Sequence, residues 1–152
     1  MHTERVEAWL KRIAKPGVET GQLMLAIRGA AVSGYKEAAE PLRALVVDDS
    51  RIFRGSIEEI LRTRPDIRIV GSVWSGEKAI EVARAEFPDF VTLDIEMPGM
   101  GGIETLKALR ALAREKRREI GVLLLSAHAK RGAEITVEGL QEGAFDFLMK
   151  PD

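Results

Sequence analysis

The sequence predicts an α/β domain: a parallel sheet with helices on both faces. Three observations carry that reading. From Leu42 onward, the β-type runs RALVVDD, DIRIVGSV, DFVTLDIEM, EIGVLLLSA and AFDFLMK alternate with stretches of helical periodicity, the rhythm of βαβ units. Residues 45–47 and 122–125 are continuously apolar rather than alternating, so these runs belong deep in the sheet, covered on two sides. Pro65 and Pro88 close two of the intervening helical stretches, where a proline stops a helix.

Taken in order, the first run ends in Asp48 and Asp49, and SRIFRGSIEEILRT follows with Ile52, Phe53, Ile57, Ile60 and Leu61 on one helical face. After the second run, SGEKAIEVARAEF repeats the pattern with Ala79, Ile80, Val82, Ala83 and Phe87. A third helix, GGIETLKALRALAREKRR, turns Ile103, Leu106, Leu109 and Leu112 inward and ends in a basic cluster. That cluster complements the negative end of the helix dipole and reads as a solvated face rather than a nucleic-acid patch. The fourth, GAEITVEGLQEGA, closes on Gly143, a C-cap residue.

Composition narrows the function classes. A chain of 152 residues suits one ordinary domain with a real core. Its 23 basic and 24 acidic residues, net −1, give no broad electrostatic reason for nucleic acid or membrane as partner. The absence of Cys removes disulfides, thiolate metal sites and Cys nucleophiles, and fits a reducing compartment. Two histidines, His2 and His128, are too few for a histidine-built zinc site. No apolar run approaches the roughly 18 residues that span a bilayer. The start MHTERVEAWLKRIAKPG is too charged for a signal peptide, so the cytoplasm is the expected compartment.

In FVTLDIEMPGM an apolar run carries a carboxylate, Asp94, just before Met97, Pro98 and Gly99 stop it. A charge there costs free energy unless the strand ends at it or a counterion meets it. In an open parallel sheet, functional groups gather at the strands' C-terminal edge. Asp48, Asp49 and Asp94 would meet there, and at about 4 Å and an effective dielectric near 20 each pair repels by roughly 4 kcal/mol. Oxygen ligands with no nearby His or Cys select a hard ion, and few carboxylates plus waters suit Mg2+ better than Ca2+.

Magnesium beside a carboxylate points to phosphoryl chemistry, which needs an in-line acceptor, a metal on the phosphoryl oxygens and donors for the remaining charge. Ser126 closes VLLLSA and Lys150 closes FDFLMKP. Asp94 is then the nucleophile, forming an acyl phosphate. Singly, each residue has a plainer reading: Asp48 and Asp49 as a helix-capping pair, Ser126 as a loop hydroxyl, Lys150 as a solvated end. Four strand ends carrying the residue types of one reaction are not a plausible accident.

Over residues 42–151, the pieces VVDDS, TLDIEMPGMGG, LLSA and LMKP, in order and spacing, resemble the receiver domain of two-component response regulators. The resemblance implies a flavodoxin-like doubly wound sheet of strand order 2-1-3-4-5. It implies phosphorylation of Asp94 by a phosphohistidine sensor kinase or phosphotransfer domain. Asp49, Asp94 and the backbone carbonyl of Glu96 would hold Mg2+, with Asp48 supporting. Ser126 matches the switch hydroxyl, Lys150 the family's site lysine and Phe147 the aromatic switch, with a plain core aromatic as the alternative for Phe147. The output face would be the fourth helix and fifth strand, acting on an output domain or partner protein. DIEMPGMGGIETL with GAEITVEGLQEGAFDFLMKPD is most similar to the receiver of the chemotaxis receptor methylesterase. The 152 residues hold no Gly-x-Ser-x-Gly elbow, so the reading is not that of the esterase itself.

The sequence departs from that pattern in places. Gly101 replaces the Asp of MPGMDG and removes a cap from the third helix, an effect of about 1 kcal/mol on stability. Glu96 and His128 lie two residues beyond the acceptor and the switch Ser, where family side chains influence water access. The chain ends where the family continues into a fifth helix, leaving one sheet face bare. Residues 1–41 are largely helical in pattern: Val6, Leu10 and Ile13 form one stripe, and Met24, Ile27, Ala31, Tyr35, Ala38 and Leu42 a longer one. This extension is expected to precede a receiver over residues 42–152 and to cover the fifth-helix site, in its own chain or a neighbouring one. A homodimer is a second way to bury that face, and a truncated chain or a partner-docking helix a plainer one.

Two other classes compete with a phosphorylation-dependent signalling module. A Mg2+-dependent phosphohydrolase with an Asp nucleophile typically carries it on the first strand in a D-x-D arrangement, whereas here the candidate is on the third. A degenerate receiver acting only by interaction would not need all five polar positions filled.

Overall fold

A computed structural model of the chain describes residues 41–126 and 129–149. Five strands, β1 (Leu42–Val47), β2 (Ile67–Val73), β3 (Phe90–Asp94), β4 (Gly121–Ser126) and β5 (Asp146–Met149), alternate with four described helices. These are α1 (Arg51–Arg62), α2 (Gly76–Glu86), α3 (Gly102–Lys116) and α4 (Ala129–Gln141). All strands pair in parallel in the order β2-β1-β3-β4-β5, the doubly wound, flavodoxin-like arrangement expected. The continuously apolar β1 and β4 are both interior strands, so no edge or solvent face asks them for polar residues.

Local chemistry sets the helix boundaries. Ser50 and Ser75 sit extended before α1 and α2, and their side-chain oxygens accept from the N–H groups of Phe53 and Lys78, each at 3.2 Å, satisfying amides no helical carbonyl reaches. Gly101 caps α3 with no side-chain bond, so the lost cap is real. Lys116 and Arg114 in the last turn of α3 oppose its dipole as the sequence suggested. After α4, Gly143 takes φ +105, a left-handed turn that glycine adopts without strain.

The sheet separates two apolar clusters. On one side Ala79 and Ala83 of α2, Leu106, Leu109 and Leu112 of α3 and Ile135 of α4 meet the sheet. On the other, Ile57 and Leu61 of α1 meet Ala44, Val46, Phe90, Leu123 and Leu125.

Two expectations need correction. Ile52 is 84% exposed, because it falls in the first turn of α1, ahead of where the helix meets the sheet. Leu42 opens β1 and pairs with Ile67, so it belongs to the strand and not to the helical stripe in which the sequence placed it. The extension of residues 1–40, His128 and Lys150 lie outside the described residues.

Candidate functional site

The site lies at the C-terminal edge of β1, β3 and β4, where the strand order reverses between β1 and β3. β1 runs directly into Asp48, and the Asp48 N–H donates to the Val73 carbonyl at 3.1 Å, holding that position level with the end of β2. The Asp48 carboxylate is turned by the Ser50 amide, which donates to Oδ1 at 2.8 Å. Its carbonyl accepts from an Arg54 guanidinium nitrogen at 2.8 Å, one helical turn away. Ser50 thus serves twice, capping α1 and orienting Asp48.

Asp94 is the last residue of β3, beside Leu125 in the ladder. The next residue still belongs to the sheet edge, with the Ile95 N–H donating to the Leu125 carbonyl at 2.9 Å. The chain then turns and returns to α3, where the Gly102 N–H donates to the Ile95 carbonyl at 3.1 Å. A Cβ on Gly102 would stand 2.6 Å from both the Asp94 carbonyl oxygen and the Ile95 Cα, so only glycine allows α3 to start against the end of β3. Gly99, at φ +74, makes the turn itself.

These backbone constraints bring the carboxylates of Asp48, Asp49 and Asp94 together, with one oxygen from each lying within 4.8 Å of the others. Asp48 and Asp94 are 0% and 2% exposed, whereas Asp49 faces solvent. At that spacing and an effective dielectric near 20 each pair repels by at least about 3.5 kcal/mol. The donor set is oxygen only and has an open side at Asp49. It fits a small hard dication such as Mg2+.

Two further groups border the triad. The Glu96 N–H donates to Asp94 Oδ1 at 3.2 Å. Ser126, fully buried at the end of β4, donates to Glu96 Oε1 over a long 3.4 Å. Phe147 lies on β5 opposite Leu124, half-buried against the α2–α4 side of the core and away from the carboxylates. Of the residues the sequence singled out, Asp48, Asp49, Asp94, Glu96 and Ser126 are brought to one place and Phe147 is not.

Sequence reasoning missed three supporting groups: Ser50, Arg54 and Gly102. Ser50 was legible as a cap in VVDDS. The others act through turns and helix phase that no local pattern reports.

With the geometry in hand, residues 44–152 match the sequence profile of the response regulator receiver domain. The chain belongs to the response regulator receiver family. A protein-glutamate methylesterase/protein-glutamine glutaminase of Thermotoga maritima is 41% identical over 110 residues, which are 72% of this chain and 30% of the relative. This receiver chain therefore spans about a third of the length of such relatives. The crystal structure of the response regulator domain of Thermotoga maritima CheB superposes with a TM-score of 0.66 at 40% identity, covering 74% of this chain and 80% of that one. The CheX-CheY-BeF3-Mg+2 complex of Borrelia burgdorferi includes a chain that matches this receiver with a TM-score of 0.63 at 30% identity, over 74% of this chain and 81% of that one. The receiver is thus similar to CheB receivers of chemotaxis type.

Proposed function

We propose that this receiver accepts a phosphoryl group on Asp94 and relays its presence to the α4 and β5 surface. The observation that carries the proposal is the convergence of three carboxylates, two of them buried, at the switch point of the sheet. Like charges held this close repel one another, and a cation among them relieves that repulsion. Asp49 and Asp94, with the Glu96 backbone carbonyl, would hold Mg2+, and Asp48 would support it from the buried side. When bound, the ion neutralises charge on the transferring phosphoryl oxygens.

The chain's own residues supply the rest. An Asp94 carboxylate oxygen attacks phosphorus as the N–P bond of a phosphohistidine breaks, and the electron pair leaves with the imidazole nitrogen. The Glu96 amide holds the Asp94 carboxylate in place. Once the phosphoryl oxygens are there, the Ser126 hydroxyl exchanges its long bond to Glu96 for a shorter one to phosphate. Lys150, directly after Met149, would bring an ammonium to the same oxygens. Met149 pairs with Ser126 in the ladder, so movement at one strand end is felt by the other.

The surroundings suit two partners. Ile52 in the first turn of α1 and Trp74 directly after β2 are 84% and 56% exposed, apolar side chains that suit the docking of a phosphohistidine donor. Val137 and Leu140 of α4 and Met149 of β5 are 54%, 43% and 50% exposed, which suits the face an output domain or partner protein would cover. By its likeness to CheB receivers, the output belongs to chemotaxis-type control in the cytoplasm, and the chain turns over no separate metabolite.

Incubation with acetyl phosphate and Mg2+, read by intact mass, tests the proposal. One phosphoryl group is expected on the wild type and none on Asp94→Asn or in excess chelator. A folded wild-type protein that gains nothing would overturn it in favour of a phosphate-independent interaction module.

A further inference from the structure

The α1 side of the sheet is more deeply buried than its described helix accounts for. Five strands at about 4.8 Å spacing make a face roughly 20 Å wide, whereas a helix spans about 10 Å. On that side α1 packs against β1 and β2, and α2, α3 and α4 all serve the opposite face. Yet Phe90 and Thr92 of β3 and Leu123 of β4 are 0% exposed, and Leu125 is 2% exposed. Leu148 of β5 is half-buried against the same cluster.

We propose that residues 24–40 of the same chain form an amphipathic helix that covers β3 and β4 beside α1, running antiparallel to β1. Three features of the chain select this occupant. Met24, Ile27, Ala31, Tyr35 and Ala38 repeat at three- and four-residue intervals and make one apolar stripe. Seventeen helical residues reach about 25 Å, enough to traverse strands of about 17–20 Å. The connection then fixes direction. Pro41 and Leu42 enter the sheet at its N-terminal edge, where the Leu42 N–H donates to the Asp66 carbonyl at 2.8 Å. No residues are left for a crossover, so a helix ending there starts at the site edge and lies next to β1. The opposite face is already filled by three helices in mutual contact, α2 with α3 and α3 with α4. The place left is over β3 and β4.

The proposal stands apart from phosphorylation and is tested on the full 152-residue chain. A benzoylphenylalanine photocrosslinker in place of Ala31, in an equal mixture of isotope-labelled and unlabelled chains, reports what lies beneath the stripe. Crosslinks to β3, β4 or β5 residues of the α1 side, within single chains, are expected. Mixed-isotope pairs would assign the face to a second copy, and crosslinks to α2–α4 or none would remove the helix from it; each overturns the proposal. A second readout uses the absence of native cysteine. The single thiol of Leu148→Cys should react at least about tenfold faster when Ile27→Asp is added and the helical signal is retained. Equal rates in a folded double variant would overturn the proposal, and the crosslink decides alone if that variant does not fold.

Discussion

Asp89 and Asp94 bracket the same strand, β3, and are 7% and 2% exposed, but the two ends of the sheet treat them differently. At the N-terminal edge the Asp89 carboxylate accepts the Arg43 N–H at 2.8 Å. Its own N–H donates to the Arg43 carbonyl at 2.8 Å, and its carbonyl accepts from Gly121 at 2.9 Å. All three groups tie β1, β3 and β4 together, and the charge is met by an amide. At the C-terminal edge the Asp94 carboxylate meets two more carboxylates within 4.8 Å. Asp94 also accepts an amide, from Glu96 at 3.2 Å, so what separates the two acids is the neighbouring carboxylates: the first fastens strands, and the second lies where a cation could bind.

The largest effect that would break this comparison is on phosphoryl uptake. Asp94→Asn should abolish it while raising stability in magnesium-free buffer by about 1–2 kcal/mol, a fraction of the relieved repulsion. Asp89→Asn should keep uptake. Urea unfolding beside intact mass reads both, and loss of uptake in both variants would erase the distinction. Next, Asp89→Ala should cost about 2–3 kcal/mol, since it strands the Arg43 amide, but leave the rise in melting temperature on adding Mg2+ unchanged. A variant that no longer responds to Mg2+ would mean the two edges are coupled.

Gly102→Ala should cost about 2 kcal/mol by overpacking against the end of β3 and slow uptake as well, because Asp94 must shift to make room; normal labelling kinetics would count against that close approach. Between the two acids lies Thr92, whose hydroxyl is buried without a hydrogen-bond partner among the described residues. Thr92→Val should stabilise by about 1 kcal/mol in thermal unfolding, with labelling unchanged. The smallest effect is Gly101→Asp, which supplies the missing cap of α3 and should add about 0.3 kcal/mol.

Much of this was legible in the residues. The apolar runs of β1 and β4 announced interior strands because a strand covered on both sides has no polar face to alternate with. Asp48, Asp49 and Asp94 announced the site because a carboxylate at the end of a buried run needs a reason. Gly143 was recognisable as a helix stop, and φ +105 bears that out. The failures have a common cause. Ile52 was placed inward by its spacing, yet a helix meets the sheet over only part of its length, and the first turn of α1 overhangs. Leu42 continued a helical stripe, yet the strand ladder took it.

What the sequence determined by itself was the order of elements, which runs are central, and which residue types end at each strand, since all of these follow from local periodicity and punctuation. Only the tertiary structure decided which of two buried aspartates, each accepting an amide, also stands among carboxylates. It also decided that Ser50 and Arg54 hold Asp48 from α1, that Glu96 bridges Asp94 and Ser126, and that α3 begins in contact with β3 at Gly102. Those relations join residues distant in the chain through distances of a few ångströms, and electrostatic and steric energies depend on those distances rather than on separation along the sequence.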